Sequence, residues 1–248
     1  MPRILIKKPL PNEELIQYFV KDTTKDYHCE FGFFKVEELA KPDGSIVKSN
    51  TGTEFVIFSP GFTDLYQKVT RGPQMIPPKD LGPIVIYCGL GKESKIVEGG
   101  AGSGGISCTL AHICKEVTSY DINQQHLNIV EKNKNLLGLT NLTLKLQDIT
   151  KQIDERDVDA VILDLPSPWL AIDQALKAAK IGGFIVSYSP NISQVMEFSK
   201  QIDERKDAIR LMTLEVVERD WRVDNLIVHP RSKTSIHSGF LTFVRRIV

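Results

Sequence analysis

Residues 96 to 105 read Ile-Val-Glu-Gly-Gly-Ala-Gly-Ser-Gly-Gly, two β-branched residues running into an acid and then five glycines in seven positions. A strand that ends at Glu98 and enters a helix near Gly105 needs glycine there. Any Cβ would block the tight reversal or hold a ligand away from the backbone. The helix start adds unpaired N–H groups and a positive dipole end of about half a charge. A turn of this kind, set between an apolar strand and an amphipathic helix, is a cofactor-binding turn.

Gly100, Gly102 and Gly105 also satisfy G-x-G-x-x-G, so the turn alone does not separate a nicotinamide cofactor from S-adenosylmethionine. The next acid at a strand end is Asp121, about twenty residues on, where a carboxylate can accept both ribose hydroxyls of either cofactor. The other acids decide. Glu98 ends the first strand, Asp148 follows Leu144-Lys-Leu-Gln, and Asp164 follows Val161-Ile-Leu. One acid per successive strand end makes a rim suited to a cationic sulfonium and repellent to a pyrophosphate. S-adenosylmethionine is therefore the expected cofactor.

Residues 1–70 carry short β-rich runs, Phe31-Gly-Phe-Phe-Lys-Val and Thr53-Glu-Phe-Val-Ile-Phe, with turn signals at Pro42-Asp43-Gly44 and Asn50-Thr51-Gly52. They predict a small N-terminal β domain. The proline-punctuated crossing that starts at Arg71-Gly-Pro-Gln separates it from a catalytic domain over 71–248. From residue 81 strands and helices alternate, which predicts a mostly parallel sheet covered on both faces. The expected elements are a helix over 81–88, strand 94–98, a helix with Ile106, Leu110 and Ile113 inward, and strand 117–121. Next come a helix capped by Asn123 and closed at Gly138, and strands 142–147 and 159–163. A helix with Ile172, Leu176 and Ala179 inward is expected to stop at Gly182-Gly183 before strand 184–188. Ile192, Val195 and Met196 share a face of the last helix. Two closing β runs, 212–218 and 240–245, follow without a helix between them, so the sheet of seven strands ends in an antiparallel pair. The fold class is α/β, of the Rossmann-like kind seen in class I methyltransferases.

Of 248 residues, 42% are hydrophobic and 25% charged, and acids and bases cancel to a formal net charge of zero. That excludes a uniformly basic nucleic-acid binder; a polyanion partner must be held by a local patch or by several subunits. Cys29, Cys88, Cys108 and Cys114 form no C-x-x-C pair and have no histidine at ligand spacing, so reduced thiols are expected and no metal site. The N-terminus lacks signal-peptide or membrane-span character, which predicts a cytoplasmic, membrane-free protein.

Taken together, Arg71-Gly-Pro-Gln, the glycine turn, Tyr120-Asp121 with Gln124-Gln125, Gln147-Asp148, Leu163-Asp164-Leu-Pro166, Gly182-Gly183-Phe184 and His237-Ser-Gly-Phe-Leu-Thr-Phe resemble the archaeal-type tRNA (adenine-N1)-methyltransferases of the TrmI family. The resemblance covers nearly the whole chain. It implies methylation of T-loop adenosine at tRNA positions 57 and 58, a tRNA partner and a homotetramer. It further implies that Gln74 and the backbone of Gly102, Ser103, Gly104 and Gly105 contact S-adenosylmethionine, that Asp121 holds the ribose, and that Asp148 and Ile149 flank the adenine. His126 stands where family members often carry arginine. Two departures are Asp121, where glutamate is commoner, and Pro77, where tyrosine or histidine is.

Adenine N1 needs no strong base, so geometry carries most of the reaction, and orientation supplies about 7 to 11 kcal/mol of the barrier. As the methyl arrives, positive charge spreads to the exocyclic amine, where Asp164 is the expected acceptor; such a partner is worth about 2.7 to 4 kcal/mol. Lys68, Arg71, Lys79, Arg222, Arg231 and Lys233 are candidate phosphate contacts, and Trp169 and Trp221 candidate stacking platforms, each competing with an ordinary surface or packing role. Three rival functions remain open: an amino-group (N6-adenine) methyltransferase, because Asp164-Leu-Pro-Ser-Pro-Trp169 approximates D-P-P-aromatic; a nicotinamide reductase; and a non-catalytic tRNA-binding subunit.

Overall fold

The computed structural model describes residues 1–9, 15–72, 75–224, 227–231 and 237–248. The chain divides into two compact units, Met1–Lys68 with Trp221–Pro230, and Val69–Asp220 with Arg231–Val248.

In the smaller unit Arg3–Lys7 is a central strand, antiparallel to Ile16–Val20 on one side and to Glu54–Phe58 on the other, with Ile46–Lys48 beyond. Leu5, Val20, Phe34, Val47, Phe55 and Ile57 form its core. The turn signals act as expected: Gly44 and Gly52 have φ of 84° and 85°. The two N-terminal strands were not legible from turn spacing. A ribbon of Trp221–Asp224 and Ile227–Pro230 groups with this unit.

The larger unit holds a seven-stranded sheet of β1 (Lys95–Gly99), β2 (Glu116–Asp121), β3 (Leu142–Leu146), β4 (Val158–Leu163), β5 (Ala179–Ser189), β6 (Ala208–Glu215) and β7 (Phe240–Arg246). Their order is β6-β7-β5-β4-β1-β2-β3. Only β7 runs against its neighbours, antiparallel to both β5 and β6. The helices are α1 (Pro78–Tyr87), α2 (Gly105–Ile113), α3 (Gln124–Leu137), α4 (Ile172–Ala178) and α5 (Ile192–Asp203). Two hydrophobic clusters, one centred on Ile84, Leu110, Val130 and Ile162 and the other on Val97, Val161, Leu176 and Phe198, hold the helices to the sheet.

Asn123 caps α3 by accepting from the Gln125 N–H at 2.9 Å, and Gly138 closes it at φ 66°, as the sequence implies. Two expectations need correction. Helix α4 ends at Ala178, and Ala179 and the Gly182-Gly183 pair lie in β5, whose pairing with β4 jumps from Val158↔Ala179 to Ala160↔Phe184. The glycines serve a bulge: a Cβ on Gly183 would lie 2.8 Å from the Lys180 carbonyl oxygen and 3.1 Å from that of Val158. On α5, Ile192 and Met196 are exposed, and the buried stripe is Val195, Phe198 and Ile202. Spacings of three and four beyond Val195 pick out that stripe, at about 1.5 to 3 kcal/mol per buried side chain. Cys88, Cys108 and Cys114 are buried and Cys29 partly so, all as free thiols.

Candidate functional site

The chain leaves β1, builds β2 and β3 on one flank, and returns to build β4 on the other flank of β1. A crevice must therefore open beyond the carboxyl ends of β1 and β4, where the connections part. A cleft of about 780 Å³ lies there.

The glycine turn is its floor. Gly100 and Ala101 donate to the Tyr120 carbonyl at 2.9 and 3.3 Å, and Gly104 to that of Ala101 at 2.7 Å. Gly100, at φ 94°, lies so close to β4 that a Cβ would stand 2.0 Å from the Asp164 carbonyl oxygen. The Asp164 N–H in turn donates to the Gly99 carbonyl at 2.9 Å. The turn thus fixes the backbone of the acid it faces. At Gly102, φ 53°, the sole atom of the described residues within 4 Å of an added Cβ is the Gly100 carbonyl oxygen at 3.9 Å, and Gly102 lines the cleft.

Three carboxylates converge on this space. Asp121 accepts from the N–H groups of Gly102 (3.2 Å) and Asn123 (2.8 Å) and sits 3.1 Å from His126 Nδ1. Asp148 accepts from the hydroxyl and N–H of Thr150, at 2.7 and 3.0 Å, which hold its carboxyl below the usual range. Asp164 differs. It is half-buried, and no hydrogen-bond donor among the described residues reaches its carboxylate, so burial pushes it up to about 7. Among the described residues the cleft is lined by no lysine or arginine. A site of this charge accepts a cation and opposes a pyrophosphate.

The cleft brings together Gly100, Gly102, Asp121, His126, Asp148, Ile149 and Asp164 from the residues named by sequence. Ile149 packs beneath, where a Cβ on Gly99 would approach its Cδ1 to 2.7 Å. Glu98 is not a lining residue. It is fully buried behind the turn, accepts the Ser119 hydroxyl, and is pushed up to about 8 by loss of hydration. Ser103, Gly104 and Gly105 are also buried away from the lining. Ser103 accepts the Gly72 N–H at 2.8 Å, and Gly104, φ 83°, begins α2. Gln74 lies outside the described residues, as does Lys233. Pro77 precedes α1 and does not line the cleft.

Sequence reasoning missed several supports. Tyr120, on β2, donates its hydroxyl to Glu155 and accepts from the Asp154 N–H at 3.0 Å and Lys145 at 3.2 Å, tying down the loop that starts at Asp148. Asn133 holds Thr70 by both its side-chain oxygen and nitrogen and donates to the Ser103 carbonyl at 2.9 Å, joining the 70–72 crossing to the glycine turn. Its signal was a polar residue on the inward face of α3. Gln194 of α5 donates to the Pro166 carbonyl at 2.8 Å and steadies the loop after Asp164.

Lys79 is corrected as a phosphate contact: its ammonium is buried against Asp80 at 2.8 Å and the Val216 carbonyl at 2.6 Å. Lys68 lies 5.6 Å from the Phe19 ring, whereas Arg71, Arg222 and Arg231 are exposed. Trp169 packs against the second core cluster and Trp221 is half-exposed.

The chain matches the family model described as the tRNA methyltransferase complex GCD14 subunit over residues 66–228. It is 27% identical, across 96% of its length and 94% of that protein's, to the tRNA (adenine(57)-N(1)/adenine(58)-N(1))-methyltransferase TrmI of Methanocaldococcus jannaschii. Identity to the tRNA (adenine(58)-N(1))-methyltransferase TrmI of Thermus thermophilus is 31% across 82% of this chain and 81% of that one. Among solved structures, a SAM-dependent O-methyltransferase of Thermotoga maritima aligns with a TM-score of 0.85 at 27% identity, covering 99% of this chain and 93% of the other. The tRNA (m1A58) methyltransferase TrmI of Aquifex aeolicus gives 0.81 at 20% identity, covering 99% and 97%, a likeness of fold.

Proposed function

The chain belongs to the tRNA methyltransferase family described by the GCD14 subunit, and we propose that it methylates N1 of adenosine in the T-loop of tRNA, at position 58 and at 57. It is a methyltransferase with S-adenosylmethionine as its cofactor. The observation that carries the finer reading is Asp164, a carboxylate that no donor among the described residues reaches, beside the glycine turn.

The residues present fit that cofactor: Gly102 leaves room for it, Asp121 is placed for ribose hydroxyls beside His126, and Ile149 and Asp148 offer an apolar and a polar edge to an adenine. S-adenosylmethionine, when bound, supplies the methyl group. Asp164 then acts on the acceptor base. Its carboxylate accepts the hydrogen bond of an exocyclic amine, and its charge offsets the positive charge that N1 acquires. Asp164 is deprotonated for this role, so a cationic neighbour that lowers its proton affinity also readies it. The walls of the cleft orient the base and exclude water, which is the larger contribution to rate.

Transfer of a labelled methyl group to tRNA transcripts in which each T-loop adenosine is replaced in turn tests the site. Label that survives replacement of both 57 and 58 rejects it, and label that does not move from the exocyclic position under alkaline treatment rejects N1. The net charge of zero favours a homotetramer that pools basic groups from several subunits. Light scattering that finds a monomer on bound tRNA contradicts that assembly. No helix among the described residues is long and apolar enough to cross a membrane, and the proposed location is the cytoplasm.

A further inference from the structure

His237-Ser-Gly has no part in the chemistry above, yet its contacts run to the cleft wall. The register places it: Phe240, which opens β7, pairs with Ser189 at the end of β5 and with Glu215 at the end of β6. The residues just before Phe240 therefore emerge between those two strand ends. His237 Nδ1 meets the Glu215 carboxylate at 2.5 Å, and Nε2 meets the Pro190 carbonyl at 2.9 Å. Ser238 donates to Asp80 at 2.6 Å and accepts from Lys79 at 2.5 Å. At Gly239 a Cβ would come within 2.7 Å of the Tyr188 ring, so glycine lets the chain pass beneath it.

Pro190 lines the cleft that Asp164 faces. It also precedes Asn191, the cap of α5, whose Gln194 holds the Pro166 carbonyl two residues beyond Asp164. A carbonyl only accepts, so Nε2 carries a hydrogen, and the proton between Nδ1 and Glu215 makes the ring an imidazolium facing a carboxylate. We propose that His237 is a positioning residue: held by Glu215, its imidazolium fixes the Pro190 wall of the slot that receives the acceptor nucleobase. This rests on the methyl transfer proposed above.

Among the described residues, the charged groups around the ring include Glu215 from β6 and, from α1, Lys79 with its partner Asp80; the Phe240 ring lies 5.0 Å away. The Glu215 hydrogen bond, then the Pro190 carbonyl, raises the proton affinity of His237 above its ordinary value, and Lys79 opposes this weakly. The clamp therefore persists to higher pH than an unpartnered imidazolium would and is released as pH rises.

Wild type, His237→Ala and His237→Gln are compared as full chains on a tRNA transcript. H237A is expected to lower kcat about tenfold while the dissociation constant of S-adenosylmethionine, read by calorimetry, stays within about twofold. In H237Q the amide keeps a donor for Pro190, so kcat recovers to within about threefold of wild type and loses the alkaline decline that wild type shows. Wild-type kcat in H237A, or an alkaline decline unchanged in H237Q, overturns the proposal. Ring charge is read without turnover by nitrogen NMR of histidine-labelled chain: the signal absent from H237Q titrates with a midpoint above 6.5, and a midpoint at or below 6.5 overturns the clamp. A wild type that methylates no tRNA refutes the proposed function instead, and the NMR still decides the clamp.

Discussion

Replacing Asp164 by Asn keeps the shape of the side chain and removes its charge, and the setting of Asp164 gives that change two consequences of opposite sign. Burial raises its carboxyl from 3.8 to about 7. An acid raised in this way binds its proton more tightly folded than unfolded, so its favourable linkage is complete below 3.8 and is lost as pH rises through about 7. At 1.36 kcal/mol per unit, the cost of the ionised form above that range is bounded by about 4 kcal/mol. Water in the open cleft screens a half-buried carboxylate, which leaves about 1 to 2 kcal/mol, or about 3 to 6 °C in melting temperature. Asn escapes this cost. D164N is expected to melt above wild type by that margin near pH 8.5, with the gap closing as pH falls toward 4. Its methyl transfer under single turnover should drop about 10² to 10³ fold, the loss of about 2.7 to 4 kcal/mol aimed at the developing cation. Wild-type transfer should decline about tenfold per unit at low pH, from a midpoint that the cationic cofactor holds below the value of about 7 set by burial alone. A melting gap independent of pH refutes the account of burial. A rate within about threefold of wild type removes Asp164 from the chemistry.

Gly100→Ala drives a Cβ to 2.0 Å from the Asp164 carbonyl at a φ of 94°. Both β4 and the turn must shift, so S-adenosylmethionine binding by calorimetry should weaken by about 10² fold or more. Tyr120→Phe strips the Asp154 N–H and Lys145 of their hydroxyl partner. The loop carrying Asp148 and Ile149 loosens, and KM for S-adenosylmethionine should rise about five- to tenfold with kcat little changed. Lys79→Ala leaves Asp80, which is 0% exposed, without its counter-charge. Denaturant unfolding should show a loss of about 3 to 5 kcal/mol, and Lys79→Ala with Asp80→Asn should recover much of it.

The parts of this molecule that were legible in the sequence share a cause: their residues answer to local rules. Asn123 and Gly138 mark α3 because capping and left-handed backbone are decided within one turn of the chain. Gly100 and Asp121 fall at strand ends whose apolar runs announce them, and the sheet order then brings those ends to one crevice. What escaped depends on partners distant in sequence. Lys79 looks like a free surface cation until the fold seats it beside Ser238. Glu98 looks like a ligand contact by its place in the turn, but the Ser119 hydroxyl on the neighbouring strand and complete burial make it a support for the floor. Tyr120 looks apolar and interior, yet its hydroxyl anchors a loop more than thirty residues on, through Asp154 and Glu155. Each of the three is polar, lies in or next to an apolar stretch, and is satisfied in the fold by a group that no local pattern could reveal. A polar residue at an inward position is therefore the signal worth following in a sequence of this class, because burial obliges it to find a partner, and here those partners hold the walls of the cleft.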